Sequence, residues 1–454
     1  MRRQLVTFAL ALAACGQGNL VDSQRARGPA IRRLLSGPTL NRAIEPLAAP
    51  ILSVASPRNI AIGGPDFVLT VLGTGFIRES VLRWNGDDRG TQFVSSGQLT
   101  ANISASDISI PGLKSLTVFN PGDKGGESNI LAFAVFISQV CNDIIYDPGG
   151  GLIWASVPSI FHGNGLISVD PYTGERSPLV FVGSEPGKLA ITDDGQSLFV
   201  ALNGAGAVRK FDIPTRTAGI SFSLGRDSFF GPMFAQDMQV LPGYSDSVAV
   251  SRVYEFVSTR HAGVGIYDFG VRRPTQTPGF FGSNVIQFSN SPDRLYGYSS
   301  EGDHEFRRMR IDDSGVTTDP ATILIGGAQD IRFDSYDGRI YSNNGVAIDP
   351  EQRIVLGTFP ITGSGSLVLP DSANGRTFYL TYLAGLGHML RVFDPNTFVQ
   401  IGQVELLGIS GSATSLIRWS DDGLAFRAGT DQIFIVTSPV PAMPPARGRL
   451  VNQH

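Results

Sequence analysis

Hydrophobic and polar residues alternate along this chain in short runs, and Gly, Pro, Asn and Asp separate one run from the next. A period of two predicts strands, because successive side chains of an extended backbone point to opposite faces. Seven such runs fall at 51–54, 67–71, 81–84, 92–94, 99–103, 116–119 and 131–135. Turn signals lie between them, at Asn85-Gly86, Asn120-Pro121-Gly122 and Gly125-Gly126. From residue 141 onward the pattern repeats. An apolar-x-apolar run ending in Asp recurs at Asp170, Asp212, Asp268, Asp312, Asp349 and Asp394, and a degenerate copy runs from Ile433 to Thr437. Upstream of each lies a strand, a tight turn and a second strand, as in LAITDDGQSLFVAL at 189–202 and IRFDSYDGRIYSN at 331–343.

The spacings between these Asp positions, 42, 56, 44, 37 and 45 residues, leave room for four short strands per unit. Seven such units predict a propeller, since helical stretches that would imply a parallel α/β sheet are missing. The recurring Asp is expected to cap a turn by accepting nearby backbone N–H groups. The third and fifth units depart from the common length. The predicted fold class is therefore all-β: an immunoglobulin-like sandwich over 51–136, then a seven-bladed β-propeller over 137–440. A closed ring must hide its last strand edge. The seventh unit shows only three clear strands, so a strand near 134–140 is expected to supply the fourth.

Composition narrows the class. The chain has 454 residues, a net charge of −4 and 17% charged residues, which argues against a nucleic-acid partner. Its 42% apolar content argues against a disordered chain. Two cysteines make neither a disulfide scaffold nor a cysteine zinc site. Outside the N-terminus no run reaches the ~18 apolar residues of a membrane helix. Residues 1–14 pair a basic start, Arg2-Arg3, with the apolar run 5–14, which predicts an exported signal peptide. Residues 15–50 read as a tether and 441–454 as a tail. Cys141, beside an apolar run, reads as a small buried hydrophobe.

Three resemblances refine this reading. Leu12-Ala13-Ala14-Cys15 resembles the lipobox of bacterial lipoproteins, which implies removal of 1–14 and acylation of Cys15. Gly16 after the cysteine implies, by the sorting rules of that family, the outer membrane of the cell envelope. Gly73-Thr74-Gly75-Phe76, Asn120-Pro121-Gly122 and Gly126-Glu127-Ser128-Asn129 resemble the IPT/TIG family of interaction and spacer domains. The repeats resemble YVTN/lactonase-like propellers, most closely at Gly206-Ala207-Val208-Arg209-Lys210-Phe211-Asp212.

Candidate chemistry is thin. His162, His261, His304, His388 and His454 show no metal-ligand spacing and read as scattered surface or turn residues; the alternative is a metal held at a central channel. Asp193-Asp194-Gly195 and Asp312-Asp313-Ser314-Gly315 lack a full calcium ligand set. Gly363-Ser364-Gly365 and Gly408-Ile409-Ser410-Gly411 resemble a hydrolase elbow without its strand-to-helix setting. Trp154, Phe161, Tyr254, Phe280 and Phe281 are candidate stacking platforms, or packing between blades. No catalytic, cofactor or metal residue is assigned, and no cofactor is expected. The expected function is a non-catalytic binding or scaffold protein, held to the membrane by its lipid, with a protein or polysaccharide on the propeller face. The alternative is a lactonase-like hydrolase or lyase acting from the central channel, which needs His or carboxylate groups gathered at its mouth.

Overall fold

The computed structural model describes residues 49–437, apart from 123–124, 162, 281, 407 and 422. The signal peptide, Cys15, most of the tether, His162, Phe281, His454 and the tail lie outside the described residues. Among those described the chain forms strands and two short 3-10 turns, Ser159–Phe161 and Ser372–Asn374, with no α-helix.

The first strands make two facing sheets. One places Ile51–Ser56, Phe67–Thr74, Gln98–Ile103 and Thr91–Ser95 edge to edge in that order. The other joins Leu131–Ser138, Gly112–Asn120 and Val81–Trp84. Leu69, Val71 and Leu99 from the first meet Leu82, Trp84, Leu116, Val118 and Phe133 from the second in one buried cluster. The alternation seen in the sequence thus buries one face of each sheet. Three strands that the alternation did not reveal, Asn59–Ala61, Asp87–Asp88 and Gly126–Glu127, are two or three residues long. Such strands hold too few alternations to register as a pattern. Gly73 is required locally, because a Cβ there would sit 2.0 Å from the Ile51 carbonyl oxygen. Asn120 is buried between loops, donating to the Gly75 carbonyl at 2.8 Å and taking the Ser80 hydroxyl at 2.5 Å.

Seven antiparallel sheets follow in chain order. Their innermost strands are Asp143–Asp147, Pro186–Ile191, Gly231–Leu241, Val285–Phe288, Ile331–Phe333, Ser364–Asp371 and Ala413–Arg418. Each packs against the next, and the seventh packs against the first. The sheets therefore close a ring of seven blades, a β-propeller. The second strand of each blade has a neighbouring blade on both faces. That is why Ser197–Leu202 is apolar at nearly every position and wholly buried. Trp154 fits the same rule: buried, its ring lies 5.3 Å from Phe211 of the next blade, edge to face. Cys141 is buried, and burial pushes its thiol up to about 11.

Five of the six recurring aspartates cap turns as expected. Asp170 accepts the N–H groups of Tyr172 and Thr173, and Asp394 those of Asn396 and Thr397. Asp349, Asp312 and Asp212 do the same. Asp268 instead pairs with Arg273 at 2.7 Å. The odd spacings have simple causes. The third blade has two strands of 11 residues and an added pairing of Arg226–Asp227. The fifth is built from strands of 3, 3, 4 and 5 residues.

The ring closes through the first domain. Leu131–Ser138 pairs with Gly112–Asn120 along its first half, then sets Ile137 opposite Ile433 and Ser138 opposite Gln432. It is the fourth strand of the seventh blade, beside Gln432–Thr437. Ile137 and Ile433 are fully buried, in a cluster shared with Ile144 and Val169 of the first blade. Replacing Ile137 by Ala should lower the unfolding free energy by about 2–4 kcal/mol, since the cavity opens where two domains and two blades meet. Denaturant titration followed through tryptophan fluorescence measures it; a loss under about 1 kcal/mol would mean the strand contributes little to closure.

Candidate functional site

The innermost strands surround a channel cavity of about 320 Å³ lined by Asp143, Lys188, Met238, Gln287, Arg332 and Ser415 among others. Its charges are engaged with the ring itself. Asp143 accepts the Leu189 N–H at 3.0 Å and the Ser415 hydroxyl at 2.6 Å, linking blades one, two and seven. Asp237 accepts the Ile286 N–H at 2.9 Å and faces Lys188 at 3.4 Å, linking blades two, three and four. Arg332 pairs with Asp330 at 3.0 Å. Burial alone would pull the Lys188 ammonium down, but Asp237 and then Asp143 outweigh it and hold it above the ordinary lysine value. Asp237 is raised, burial outweighing Lys188. Arg332 is raised, chiefly by Asp330. The enzyme alternative required His or carboxylate groups converging at the channel mouth. Among the described residues no three His, Cys, Asp or Glu side chains share one metal-sized site. Nor is the channel merely Gly, Ser and apolar: it holds paired charges that fasten neighbouring blades.

The expectation of surface histidines needs correction. His304 lies in a loop, 3.4 Å from the Tyr298 hydroxyl. His261 and His388 lie inside strands, His261–Asp268 and Gly387–Phe393, and both are buried. Glycines lie close to both in the chain. One of them, Gly263, is needed for close approach, since a Cβ there would sit 2.4 Å from the Thr277 carbonyl oxygen. Among the described residues neither ring nitrogen of His261 has a hydrogen-bond partner. Burial, aided by Arg252, lowers its pKa to about 4. The acidic stretches are turn chemistry: Asp194 bonds Thr192 and Gln196, and Asp193 accepts the Gly243 N–H at 2.7 Å.

In an up-and-down blade, the loops joining second to third strands and those joining one blade to the next emerge on the same face. At blade three that face carries phenylalanines. Phe229 is 87% exposed, Phe256 99% and Phe280 43%. Phe230 joins them, its ring 5.0 Å from Phe229, 5.1 Å from Tyr254 and 5.4 Å from Phe280. Tyr254 is itself buried beneath. Asp227 fixes the first loop by accepting the N–H groups of Phe229 at 2.7 Å and Phe230 at 2.9 Å, which keep its carboxyl below the usual range. The Phe280 N–H donates to the His261 carbonyl at 2.7 Å. Phe256 and Phe280 both hold left-handed backbone, with φ of 61° and 72°, which costs a bulky residue about 1–3 kcal/mol. Of the five aromatics singled out from sequence, Phe280 and Tyr254 belong to this patch, while Trp154 packs between blades. Phe161 ends the turn Ser159–Phe161. Phe229 and Phe256 were missed; Asp227, followed by paired aromatics in a turn, was the available signal.

His261 sets a pH dependence. Its native pKa of about 4 lies below the ordinary 6.5, so the unfolded chain takes up a proton that the native chain refuses. Stability should therefore fall as pH drops from about 6.5 to about 4, by a total of the order of 3 kcal/mol from this residue. His261→Phe should flatten that part of the profile, measured by denaturant titration across pH; an unchanged slope would mean that His261 titrates normally.

No protein-family model matches the chain, and no curated protein matches it. Solved structures do. The chain is similar to hydrazine synthase of Kuenenia stuttgartiensis, at 14% identity over 67% of this chain and 97% of that one, TM-score 0.49. It is similar to the β-propeller domain of Cps50 (Swd1) from Myceliophteria thermophila, at 13% identity over 66% and 98%, TM-score 0.49. It is also similar to dihydro-heme d1 dehydrogenase NirN, at 15% identity over 73% and 74%, TM-score 0.46. The propeller assignment rests on the ring of sheets described above.

Proposed function

We propose that this chain is a non-catalytic binding or scaffold protein of the bacterial cell envelope, held to the outer membrane through an acylated Cys15. Its immunoglobulin-like, IPT/TIG-type first domain is the spacer, and its propeller presents the ligand face. The lipobox supports the anchor. The close backbone approach at Gly73 and the buried hydrogen bonds of Asn120, two positions of the IPT/TIG resemblance, support the spacer. The observation that carries the binding role is the set of bare phenylalanines, two of them held in costly left-handed backbone. Exposed aromatic rings on neighbouring loops of one face are what a partner surface buries as its anchors. Phenylalanine has no polar tip with which to read hydroxyl groups, which favours a protein over a polysaccharide as ligand.

The test is site-specific photo-crosslinking in intact cells. A crosslinker at position 256 should capture one discrete protein. Capture should drop at least about tenfold in a Phe229→Ser/Phe280→Ser variant, as for loss of an interface anchor. It should also fail in Cys15→Ser, which cannot be acylated. A crosslinker at Tyr336, an exposed residue in the turn joining the first two strands of blade five and so on the opposite face, should capture nothing comparable. Equal capture at 256 and 336, or capture of glycan alone, would overturn the reading.

A further inference from the structure

A cleft of about 260 Å³ opens between blades six and seven, on the face that carries the phenylalanines but across the ring from them. Ser364, Tyr382, His388, Ile409 and Ser412 line it, with Gly365 and Gly411, one glycine from each elbow-like stretch. Strand pairing explains the grouping. Tyr382 stands opposite Ser364 on one side and His388 on the other. The loop that leads into Ala413–Arg418 brings Ile409 and Ser412. Gly363 and Gly411, at φ of 113° and 72°, let the two loops bend around the opening.

His388 is the informative residue. It is 3% exposed, it lines the cleft, and among the described residues its Nδ1 has no hydrogen-bond partner. Buried polar atoms are normally paired, so an imidazole with an unpaired nitrogen beside a cleft has hydrogen-bonding capacity that the protein leaves unused. Burial lowers its pKa, so the ring is neutral near pH 7 and offers one donor and one acceptor. Among the described residues no carboxylate, lysine or arginine lines the cleft, so none of them recognises charge there. Two serine hydroxyls sit at its rim, and the half-open Tyr382 ring lies 5.3 Å from the imidazole. The volume falls just below the roughly 300–1,000 Å³ of sites for drug-sized molecules, which suits a single ring.

We propose that this cleft binds one neutral, hydroxyl-bearing ring of monosaccharide size, with a hydroxyl bonded to the His388 imidazole and the apolar face of the ring against Tyr382. A pyranose has that combination: hydroxyls around its edge and C–H groups on its faces. The site is separate from the phenylalanine patch and does not depend on what that patch binds.

Saturation-transfer NMR on the full chain, kept free of glycoside detergents, tests it with glucose, galactose, mannose and N-acetylglucosamine. At least one should bind saturably and move the imidazole ¹⁵N resonances of His388. His388→Phe keeps a ring but removes both polar atoms, and should weaken binding about tenfold or more. Ser412→Phe, at an exposed rim position, should block the cleft without touching the core and do the same. Phe256→Ser should leave sugar binding unchanged. The proposal is overturned by no saturable binding across the panel, or by binding that survives both cleft substitutions. Loss of binding in Phe256→Ser, or tighter binding of glucuronate or glucosamine, also overturns it.

Discussion

Seven sheets arranged as a ring leave seven inner strand edges that face one channel and cannot pair with one another as sheets do. Their N–H groups still need acceptors, because a buried unpaired donor costs about 1–3 kcal/mol. The channel aspartates meet that need across blade boundaries. Asp143 accepts from blade two and Asp237 from blade four, while Asn343 accepts the Gln329 N–H at 2.8 Å and donates to the Ser366 carbonyl of blade six at 3.0 Å. Lys188 and Arg332 balance part of the resulting charge while keeping 30% and 27% of their side-chain surface open to the channel. The charged groups of the channel thus serve the closure of the ring.

The same constraint acts at the outer edge. The last blade has three strands of its own, and Leu131–Ser138 completes it while still belonging to the first domain. Contacts on either side brace this joint. Asn59 donates to the Gly408 carbonyl at 2.6 Å, and Phe136 packs 5.5 Å from Phe434. The first domain is therefore fixed to the ring by a shared strand rather than hung from a linker, and a rigid scaffold of this kind places loops on one face with little freedom. The phenylalanine patch and the His388 cleft both lie there, at opposite sides of the ring.

Strand positions were legible because alternation has a period of two and each blade repeats it. The corner aspartates were legible because an Asp turn needs only its own neighbours: Asp170 and Asp394 bond residues two and three positions on. The closing strand followed from counting strands in the seventh unit. The histidines were not legible. His261 and His388 sit among glycines that look like turn residues, yet Gly263 lies within a strand pressed against Thr277. Close approach and turn formation both select glycine, and only the neighbouring chain tells them apart. The short strands of the first domain were not legible because two or three residues hold too little alternation, and Asn59–Ala61 also pairs with Leu131–Ser138 far along the chain, which leaves no local trace.

The sequence by itself determined the all-β class, the repeat and its count, and the turn chemistry at the corners. Each of these is set by residues within a few positions of one another, or by their recurrence. The tertiary structure decided which charges face the channel and which rings are left bare. It also decided that two glycine loops 45 residues apart meet at His388. Those outcomes depend on which strand of which blade comes alongside, and burial and pairing between distant segments are properties of the closed ring rather than of any stretch of chain.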